Sequence, residues 1–399
     1  MEIQKVDYLR KYNLFNSVLF IWVLFLPLKN AIYQISLVIM VGMFVYHVYY
    51  FNNFELVKKL IEKNKDILLA FSLLVLGMLL SSIFGVNVGE SLSITIKFIY
   101  RYILLFILLI YFYKLNFFTH KILIIMILIS LSIYGFDGFY QYIAGVDFFK
   151  NFPMMGEGLT GPLFNRNIFG LVMAIEANIL LFLLLYKNSL KERIFIFLLL
   201  VLIIFLLLNS LSRSSWLFFF VFTILSIILW SKQANIRKSN IILFLLSIGI
   251  LLAFMILTNE NLSYRFELLL EGDGSGRLPV WIKTIEAIKV SWLFGYGVDS
   301  YIYVIKETIV TGVHNVTLEI LLYLGFFGLF TYIYFFFIIF KEVINKKQYI
   351  IGSFIIAFLV ALQFDGSLVN SKLDLSILTI SVFWIYSNRI DSKYNNTLI

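Results

Sequence analysis

The chain has 399 residues, of which 61% are apolar and only 14% are charged, whereas a soluble domain has roughly 25% charged residues. This composition excludes a soluble globular protein, and the absence of cysteine excludes disulfides, thiolate metal sites and a cysteine nucleophile. The net charge of +9 comes from basic residues scattered between apolar runs, a pattern typical of loops that orient a membrane protein rather than of nucleic-acid binding.

Twelve apolar runs follow one another along the chain, and about 20 such residues suffice to cross a bilayer as a helix. The sequence therefore predicts an all-α polytopic membrane protein with about twelve transmembrane helices. The first run follows a basic amino terminus without a cleavage signature, so we expect it to be a retained span. In chain order the runs cover residues 12–28, 31–50, 66–84, 94–113, 122–143, 166–186, 194–210, 216–230, 241–257, 314–340, 349–366 and 374–388.

Basic residues predict the orientation of these spans. With both termini in the cytoplasm, most of the 32 lysines and arginines fall in inside segments, as the positive-inside rule requires. The long outer loops are then 144–165 and 258–313. We expect transmembrane helices 1 to 9 in residues 1–257, one large folded periplasmic loop in 258–313, and helices 10 to 12 with a cytoplasmic tail in 314–399. Four prolines leave little scope for broken helices, and no internal repeat indicates an inverted-repeat transporter.

One histidine of three falls on the predicted outer face. His47 and His120 lie near the cytoplasmic side, whereas His314 precedes Asn315 where the large loop enters a span. A lone histidine at a helix start is commonly an interfacial, hydrogen-bonded residue. The alternative is a general base, because a neutral imidazole there can accept the proton of an acceptor hydroxyl.

Arg213 lies in Ser210-Leu211-Ser212-Arg213-Ser214-Ser215-Trp216, a polar hinge between two apolar runs. Free backbone N–H groups at a helix start, serine hydroxyls and a guanidinium suit a phosphate. The alternative is an arginine that snorkels to lipid headgroups. Arg166, in Phe164-Asn165-Arg166-Asn167, opens the preceding span on the same predicted side and is a weaker candidate.

Arg277 begins a segment in which Val280, Trp281, Ile285 and Ile288 share one face, which predicts an amphipathic helix along the membrane surface. Arg277 is therefore either a phosphate ligand or a solvated charge at a helix start. The preceding stretch 271–276 is glycine-rich and matches neither a Walker loop nor a calcium loop. We interpret it as a hinge.

Charges inside the spans are further candidates, since they are costly there and usually point into a cavity. Lys97 and Arg101 are four residues apart on the fourth span and have no acid at helical spacing in that span. They are predicted to hold lipid phosphates or to snorkel. Asp365, at the outer end of the eleventh span, either orients His314, pairs with an arginine or caps a helix. Glu176, in the sixth span, is expected to make a buried polar contact.

An ordered set of motifs between roughly residues 160 and 330 resembles the O-antigen ligase and polymerase superfamily, and most closely the ligases. The matching residues are, in chain order, Ser212-Arg213, Arg277 with Trp281, Leu293-Phe294-Gly295-Tyr296-Gly297, His314-Asn315 with Leu318-Glu319, and Gly325.

The resemblance implies a glycosyltransferase at the outer face of a bacterial inner membrane. Its donor is an undecaprenyl-pyrophosphate-linked glycan and, in the ligases, its acceptor is a sugar of lipid A-core. The residues matching Arg213 and Arg277 are thought to bind the pyrophosphate, and the one matching His314 to activate the acceptor. No metal or other cofactor is implied, and the expected partners are these lipids, with no nucleic acid. An O-antigen polymerase, a transporter of lipid-linked oligosaccharides and a membrane scaffold remain alternatives.

Overall fold

The computed structural model describes residues 2–28, 31–186, 189–233, 277–306 and 312–387, with isolated positions between 234 and 276. The predicted ninth run, 241–257, and the glycine-rich stretch 271–276 lie outside the described residues. The helices are α1 (Glu2–Phe25), α2 (Ile32–Tyr50), α3 (Phe54–Lys63), α4 (Lys65–Phe84), α5 (Val88–Phe98), α6 (Leu104–Lys114), α7 (His120–Ala144), α8 (Arg166–Tyr186), α9 (Leu190–Asn209), α10 (Arg213–Gln233), α11 (Leu278–Val290), α12 (Tyr301–Val304), α13 (Val316–Asn345), α14 (Tyr349–Leu362) and α15 (Lys372–Ser387).

The described part of the chain is helical, as predicted, and seven of its helical stretches are long and apolar enough to cross a membrane. Three shorter apolar helices accompany them, Asn13–Phe25, Arg213–Leu229 and Tyr349–Leu362. Large apolar side chains on the crossing helices are exposed, for example Val38, Phe195 and Phe330. Such faces suit lipid, which is as apolar as the side chains themselves.

Two helical features were not predicted. The short helix α3 carries Lys58, Lys59 and Lys63 on its exposed side. Because these charges interrupt its apolar residues, α3 does not form an apolar run in the sequence. Between α5 and α6 the chain forms a π-helical turn, Ile99–Ile103. A turn of this kind inserts a residue into an α-helix and is frequent at functional sites.

The chain forms two compact units. Unit 1 consists of residues 1–127, 277–351 and 366–399, and unit 2 of residues 128–276 and 352–365.

Small residues allow the closest helix packing in unit 1. A Cβ at Gly77 of α4 would lie 3.3 Å from Oγ1 of Thr331 and 3.6 Å from Cα of Gly328, both on α13. Nearby, the rings of Phe71 and Phe335 pack at a centroid distance of 5.0 Å. Membrane helices associate through such close van der Waals contact because the hydrophobic effect cannot separate side chains from lipid tails.

In unit 2, α8 packs against both α9 and α10. Phe218 of α10 contacts Phe354 and Phe358 of α14 at centroid distances of 5.1 and 5.6 Å. Gly138 of α7 faces the ring of Phe169, which leaves no room for a Cβ there. These contacts fix the helix ends that carry Arg166 and Arg213.

Candidate active site

Arg277 directly precedes α11 and occupies its N-cap position. The indole N–H of Trp281, one turn later, donates to the carbonyl oxygen of Val313 at 2.9 Å. This hydrogen bond fastens the start of α11 to the residue before His314. The predicted helix is therefore present, and its first turn is linked to the histidine segment.

The buried face of α11 differs in part from the predicted one. Val280, Thr284 and Ile288 are buried, whereas Ile285 is 44% exposed. Thr284 can be buried on this face because its hydroxyl donates to the carbonyl oxygen of Val280 at 2.7 Å, which satisfies the hydroxyl within the helix.

His314 is held between two fixed backbone positions. It has a left-handed backbone, with φ of 51°, and it is half-buried. On one side, Val313 is anchored by Trp281. On the other side, Asn315 caps α13 by accepting the N–H of Leu318 at 2.9 Å. Non-glycine residues in this conformation are uncommon and cluster at functional sites, so the backbone presents the imidazole at the start of α13.

Helix α13 is broken at Gly325, whose φ is 65° and ψ is −167°. The expectation of unbroken helices from the low proline content is therefore wrong, since a glycine makes the break. Beyond it, the N–H groups of Phe326 and Phe327 donate to the carbonyls of Trp292 and Leu293 at 2.8 and 3.1 Å. The freed helix donors thus find acceptors in the segment after α11.

The carbonyl groups freed by this break accept hydrogen bonds from the Gly-x-Gly segment, Gly295-Tyr296-Gly297. The N–H of Tyr296 donates to Leu322 at 2.9 Å, and that of Gly297 donates to Tyr323 at 3.0 Å. The hydroxyl of Ser81, at the end of α4, also donates to the Tyr323 carbonyl. These contacts explain why glycine occupies both positions. Gly295 and Gly325 have positive φ, and a Cβ at either residue would lie within 3.0 Å of backbone atoms of the segment that contains the other.

A group of buried polar residues surrounds the first turn of α13. Glu319 is 8% exposed, and the hydroxyl of Ser367 interacts with its carboxyl. The N–H of Ser367 donates to Oδ2 of Asp374 at 2.9 Å. In the adjoining loop, burial and the nearby Glu90 raise the pKa of Asp299, while Asn370 and Lys97 act in the opposite direction.

Lys97 and Arg101 have different surroundings although they are four residues apart. Lys97 ends α5 and acts electrostatically on Asp299. Arg101 lies in the π-helical turn, where its guanidinium carbon is 5.8 Å from the ring centroid of Tyr33 and 5.5 Å from that of Tyr100. The acid that accompanies Lys97 comes from a distant part of the sequence, which helical spacing within the span did not indicate.

In unit 2, Arg213 is the first residue of α10 and follows a tight turn in which Leu211 has a φ of 55°. Ser212 and Ser215 are buried and their hydroxyls lie 2.8 Å apart. The indole N–H of Trp216 donates to the carbonyl of Leu207 at 3.0 Å and closes the hairpin. Arg213 itself is half-buried at this helix start, where backbone N–H groups and the helix dipole favour an anion.

Arg166 lies near this hairpin within unit 2. A Cβ at Gly158 would lie 2.8 Å from the carbonyl oxygen of Ser210 and 3.1 Å from Cδ of Arg166. The helix that Arg166 begins is capped by Asn165, whose side-chain oxygen accepts the N–H groups of residues 167 and 168 at 2.9 and 3.1 Å. The structure therefore brings Arg166 and the serine turn to one loop.

That loop, residues 144–165, is ordered by two polar residues of α7 that were not among the predicted site residues. Gln141 accepts the N–H groups of Thr160 and Gly161 at 2.8 and 2.9 Å and donates to the carbonyl of Phe152 at 3.1 Å. Asp137, one turn earlier on α7, accepts two further loop N–H groups. Their spacing of four residues at the end of an apolar run was the available signal, since polar groups buried there must find partners.

Two other candidates lie in unit 2. Asp365 follows α14, and its N–H donates to the carbonyl of Ala361 at 3.2 Å as a continuation of the helix. Glu176 is buried in α8 and accepts the hydroxyl of Ser132 at 2.7 Å. Glu176 thus makes the buried polar contact that was expected.

Residues 198–333 match the family model described as O-antigen ligase. The resemblance to the O-antigen ligase and polymerase superfamily is confirmed. The matched segment contains Arg213, Arg277 and His314, and it extends beyond the helix break at Gly325. Comparison with curated proteins gave no match.

Proposed function

We propose that the protein is a glycosyltransferase of the O-antigen ligase type. It moves a glycan from undecaprenyl pyrophosphate to a sugar hydroxyl of lipid A-core at the periplasmic face of the inner membrane. The observation that carries the proposal is the O-antigen ligase match, which covers both arginines and the histidine in one segment.

The proposed general base is His314. The backbone on either side of it is fixed, by the Trp281 hydrogen bond to Val313 and by the Asn315 cap. A fixed imidazole that accepts the acceptor's hydroxyl proton contributes about 10²- to 10⁴-fold to a rate. Asn315 supports this role by setting the start of α13.

The proposed ligands of the donor pyrophosphate are Arg213 and Arg277, with Lys97 and Arg101 in addition. Arg213 and Arg277 each stand at a helix start, where phosphate binding is favoured. Arg166 and Asp365 are proposed to support the site. The guanidinium groups neutralise the negative charge that grows on the pyrophosphate as the bond between the sugar and the phosphate breaks.

In the proposed reaction the acceptor oxygen attacks the anomeric carbon as the bond from that carbon to the pyrophosphate oxygen breaks. The hydroxyl proton passes to the imidazole of His314, and the bonding electrons leave with undecaprenyl pyrophosphate. Attack opposite the leaving group inverts the anomeric centre. The step needs neither a covalent intermediate nor a metal.

The proposed topology has twelve spans, both termini in the cytoplasm and the active site in the periplasm. Transmembrane helices 1 to 9 occupy residues 1–257, the periplasmic loop occupies 258–313, and helices 10 to 12 occupy 314–399. The described part of the chain supports a multi-pass membrane protein through its seven crossing helices.

Single substitutions test the mechanism in purified protein given lipid-linked glycan and lipid A-core. His314→Ala, Arg213→Ala and Arg277→Ala are each expected to lower transfer at least 100-fold while the protein still inserts and unfolds at the wild-type temperature. Arg193→Ala, at an exposed arginine of α9, is the matched control and keeps activity. Full activity in His314→Ala overturns the general-base role.

The acceptor distinguishes the ligase from its closest alternative. An O-antigen polymerase extends a second lipid-linked repeat unit, so product formed only from that acceptor contradicts the ligase assignment. Transport of lipid-linked oligosaccharide in liposomes, without any glycan product, favours the transporter.

A further inference from the structure

Four acids from separate elements of unit 1 gather beside the first turn of α13. Glu319 lies in that turn, and its carboxyl is acted on by Asp374, in the first turn of α15, and by Asp299, in the loop before α12. Asp299 is acted on in turn by Glu90, in the first turn of α5. We call Glu90, Asp299, Glu319 and Asp374 the acid cluster.

The acid cluster extends from the surface to the buried start of α13. Glu90 and Asp299 are half-buried, and the side chain of Asn370, which hydrogen-bonds to Asp299, is exposed. Glu319 and Asp374, by contrast, are only 8% and 4% exposed. A polar ligand can therefore approach from the side of Asn370 and Asp299, while the buried acids lie at the inner end.

Glu319 has a carboxylate oxygen that needs a hydrogen-bond donor. The hydroxyl of Ser367 bonds to its carboxyl, yet Oε2 is buried and has no hydrogen-bond partner among the residues that the structure describes. Ser367 is itself held in place, because its Oγ accepts the N–H groups of Val369 and Asn370 at 3.1 and 2.9 Å. Leaving a buried acceptor without a donor is costly, so this position favours a ligand that donates hydrogen bonds.

The acid cluster adjoins two parts of the proposed reaction centre. Asn315 is the N-cap of α13, so His314 occupies the position before the cap and Glu319 the fourth position of the helix. Side chains at these two positions face each other across the start of a helix. On the other side, Lys97, a proposed ligand of the donor pyrophosphate, acts electrostatically on Asp299. The acceptor hydroxyl has to be held in this part of unit 1 if His314 is to take its proton.

The chemistry of the acid cluster suits a ligand that carries several hydroxyl groups. Carboxylates only accept hydrogen bonds, the amide of Asn370 both donates and accepts, and a hydroxyl pairs with either group. Glu90 and Asp299, at the outer end, repel an anion, so a pyrophosphate does not suit this position. Within the described residues, no three acids or histidines are placed so that they could hold a metal ion.

We propose that Asp299, Asn370 and Glu319 bind hydroxyl groups of the acceptor sugar and so determine which acceptor is used. A site built to hydrogen-bond a substrate hydroxyl rejects analogues that lack it, because its buried polar groups are then left unpaired. The inference rests on the proposed function for the identity of the ligand as an acceptor glycan. The binding itself requires no glycosyl transfer.

Isothermal titration calorimetry of the full-length protein in detergent, without any donor, tests the site. The two probes are the oligosaccharide released from lipid A-core and the O-antigen repeat unit freed from its lipid, and we expect one of them to bind. Asp299→Asn and Glu319→Gln should each weaken this binding at least about tenfold, since a hydroxyl loses a charged acceptor. Asn370→Ala should weaken it about three- to tenfold. Glu286→Gln, at an exposed carboxyl of α11, is the matched control and leaves binding unchanged.

Binding of polyprenyl pyrophosphate separates a direct role from a structural one. It should be unchanged or tighter in Asp299→Asn, because the substitution removes a negative charge beside Lys97. Parallel loss of donor and acceptor binding in the three variants would mean that these residues only maintain the fold, and would overturn the site. The melting temperature of each variant checks that it is folded.

The remaining outcomes separate this inference from the proposed function. Wild-type affinity in folded Asp299→Asn and Asn370→Ala overturns the site even if transfer still depends on His314. Failure of both oligosaccharides to bind to wild-type protein, or binding of Ca²⁺ alone with the same residue dependence, also overturns it. Conversely, binding of either oligosaccharide that depends on Asp299 and Asn370 supports the site even if no transfer product forms.

Discussion

The helix starts that carry Arg213 and Arg277 lie in different compact units and use the same side-chain contact over different distances. Trp216 follows Arg213 by three residues, and its indole donates to a carbonyl nine residues away along the chain, that of Leu207. Trp281 follows Arg277 by four residues, and its indole donates to Val313, which is 32 residues away and precedes His314. The first bond closes a hairpin on itself, whereas the second joins two segments of the candidate site.

This difference shows where long-range structure enters the site. The hairpin of unit 2 satisfies its own polar groups through Ser212, Ser215 and Trp216. The corresponding region of unit 1 depends on a break at Gly325 that exchanges hydrogen bonds with residues 292–297. Changes at the hairpin should therefore act locally, while changes in unit 1 should spread to the histidine segment.

The largest expected effect is at the helix break. Gly325→Ala should prevent folding or destabilise the protein by about 3 kcal/mol or more, since the new Cβ meets the backbone of Leu293 and the backbone has a positive φ. Thermal unfolding in detergent measures this loss of stability. Gly42→Ala on α2, where nothing lies within 4 Å of the added Cβ, is the control and should be neutral or slightly stabilising. A wild-type melting temperature in Gly325→Ala contradicts the assigned role of the break.

The next effect compares the two tryptophans directly. Trp281→Phe removes the donor to Val313, and Trp216→Phe removes the donor to Leu207. Each should cost about 1–3 kcal/mol of stability, because a backbone acceptor loses its partner. Only Trp281→Phe should also lower transfer, by about 10- to 100-fold, since it frees the backbone before the proposed base. Equal activity loss in both variants contradicts the distinction between the two helix starts.

Sequence alone predicts the parts of this architecture that depend on local pattern. Within the described part of the chain, the apolar runs gave helices close to those observed, and the Ser210–Trp216 pattern correctly indicated a turn followed by a helix start. The break at Gly325 was missed because it is defined by partners about thirty residues away. The partnership of Lys97 with Asp299, about two hundred residues later, was missed for the same reason. Side-chain periodicity reports which face of a helix is apolar and carries no information on which distant segment covers it.

A smaller effect is expected at Asn315, where two variants distinguish a helix-capping role from direct contact with substrate. Its side chain caps α13, so Asn315→Ala should lower stability by about 1 kcal/mol. Asn315→Ser retains a capping oxygen and should restore most of this stability. If transfer follows the cap, so that the serine variant is active and the alanine variant is impaired, Asn315 acts by setting the helix start. Loss of transfer in a stable Asn315→Ser variant instead indicates direct contact with substrate.

The smallest effect is a pH dependence that belongs to unit 1, because the Ser210–Trp216 hairpin contains no acid. Burial and Glu90 raise the pKa of Asp299, so the folded protein favours the protonated carboxyl. The stabilisation from this group is complete at acid pH, below the ordinary carboxyl pKa of about 3.9, and is lost as the pH rises through the raised value.

Asp299→Asn removes this titration and suits the left-handed backbone at φ of 64°. The melting temperature of Asp299→Asn relative to wild type should therefore increase from pH 4 to pH 8. In protein that keeps Asp299, Lys97→Gln should make the melting temperature fall more steeply as the pH rises, because Lys97 lowers the pKa of Asp299. A difference between Asp299→Asn and wild type that stays constant across this range would mean that the Asp299 carboxyl is as well solvated in the folded protein as in the unfolded chain.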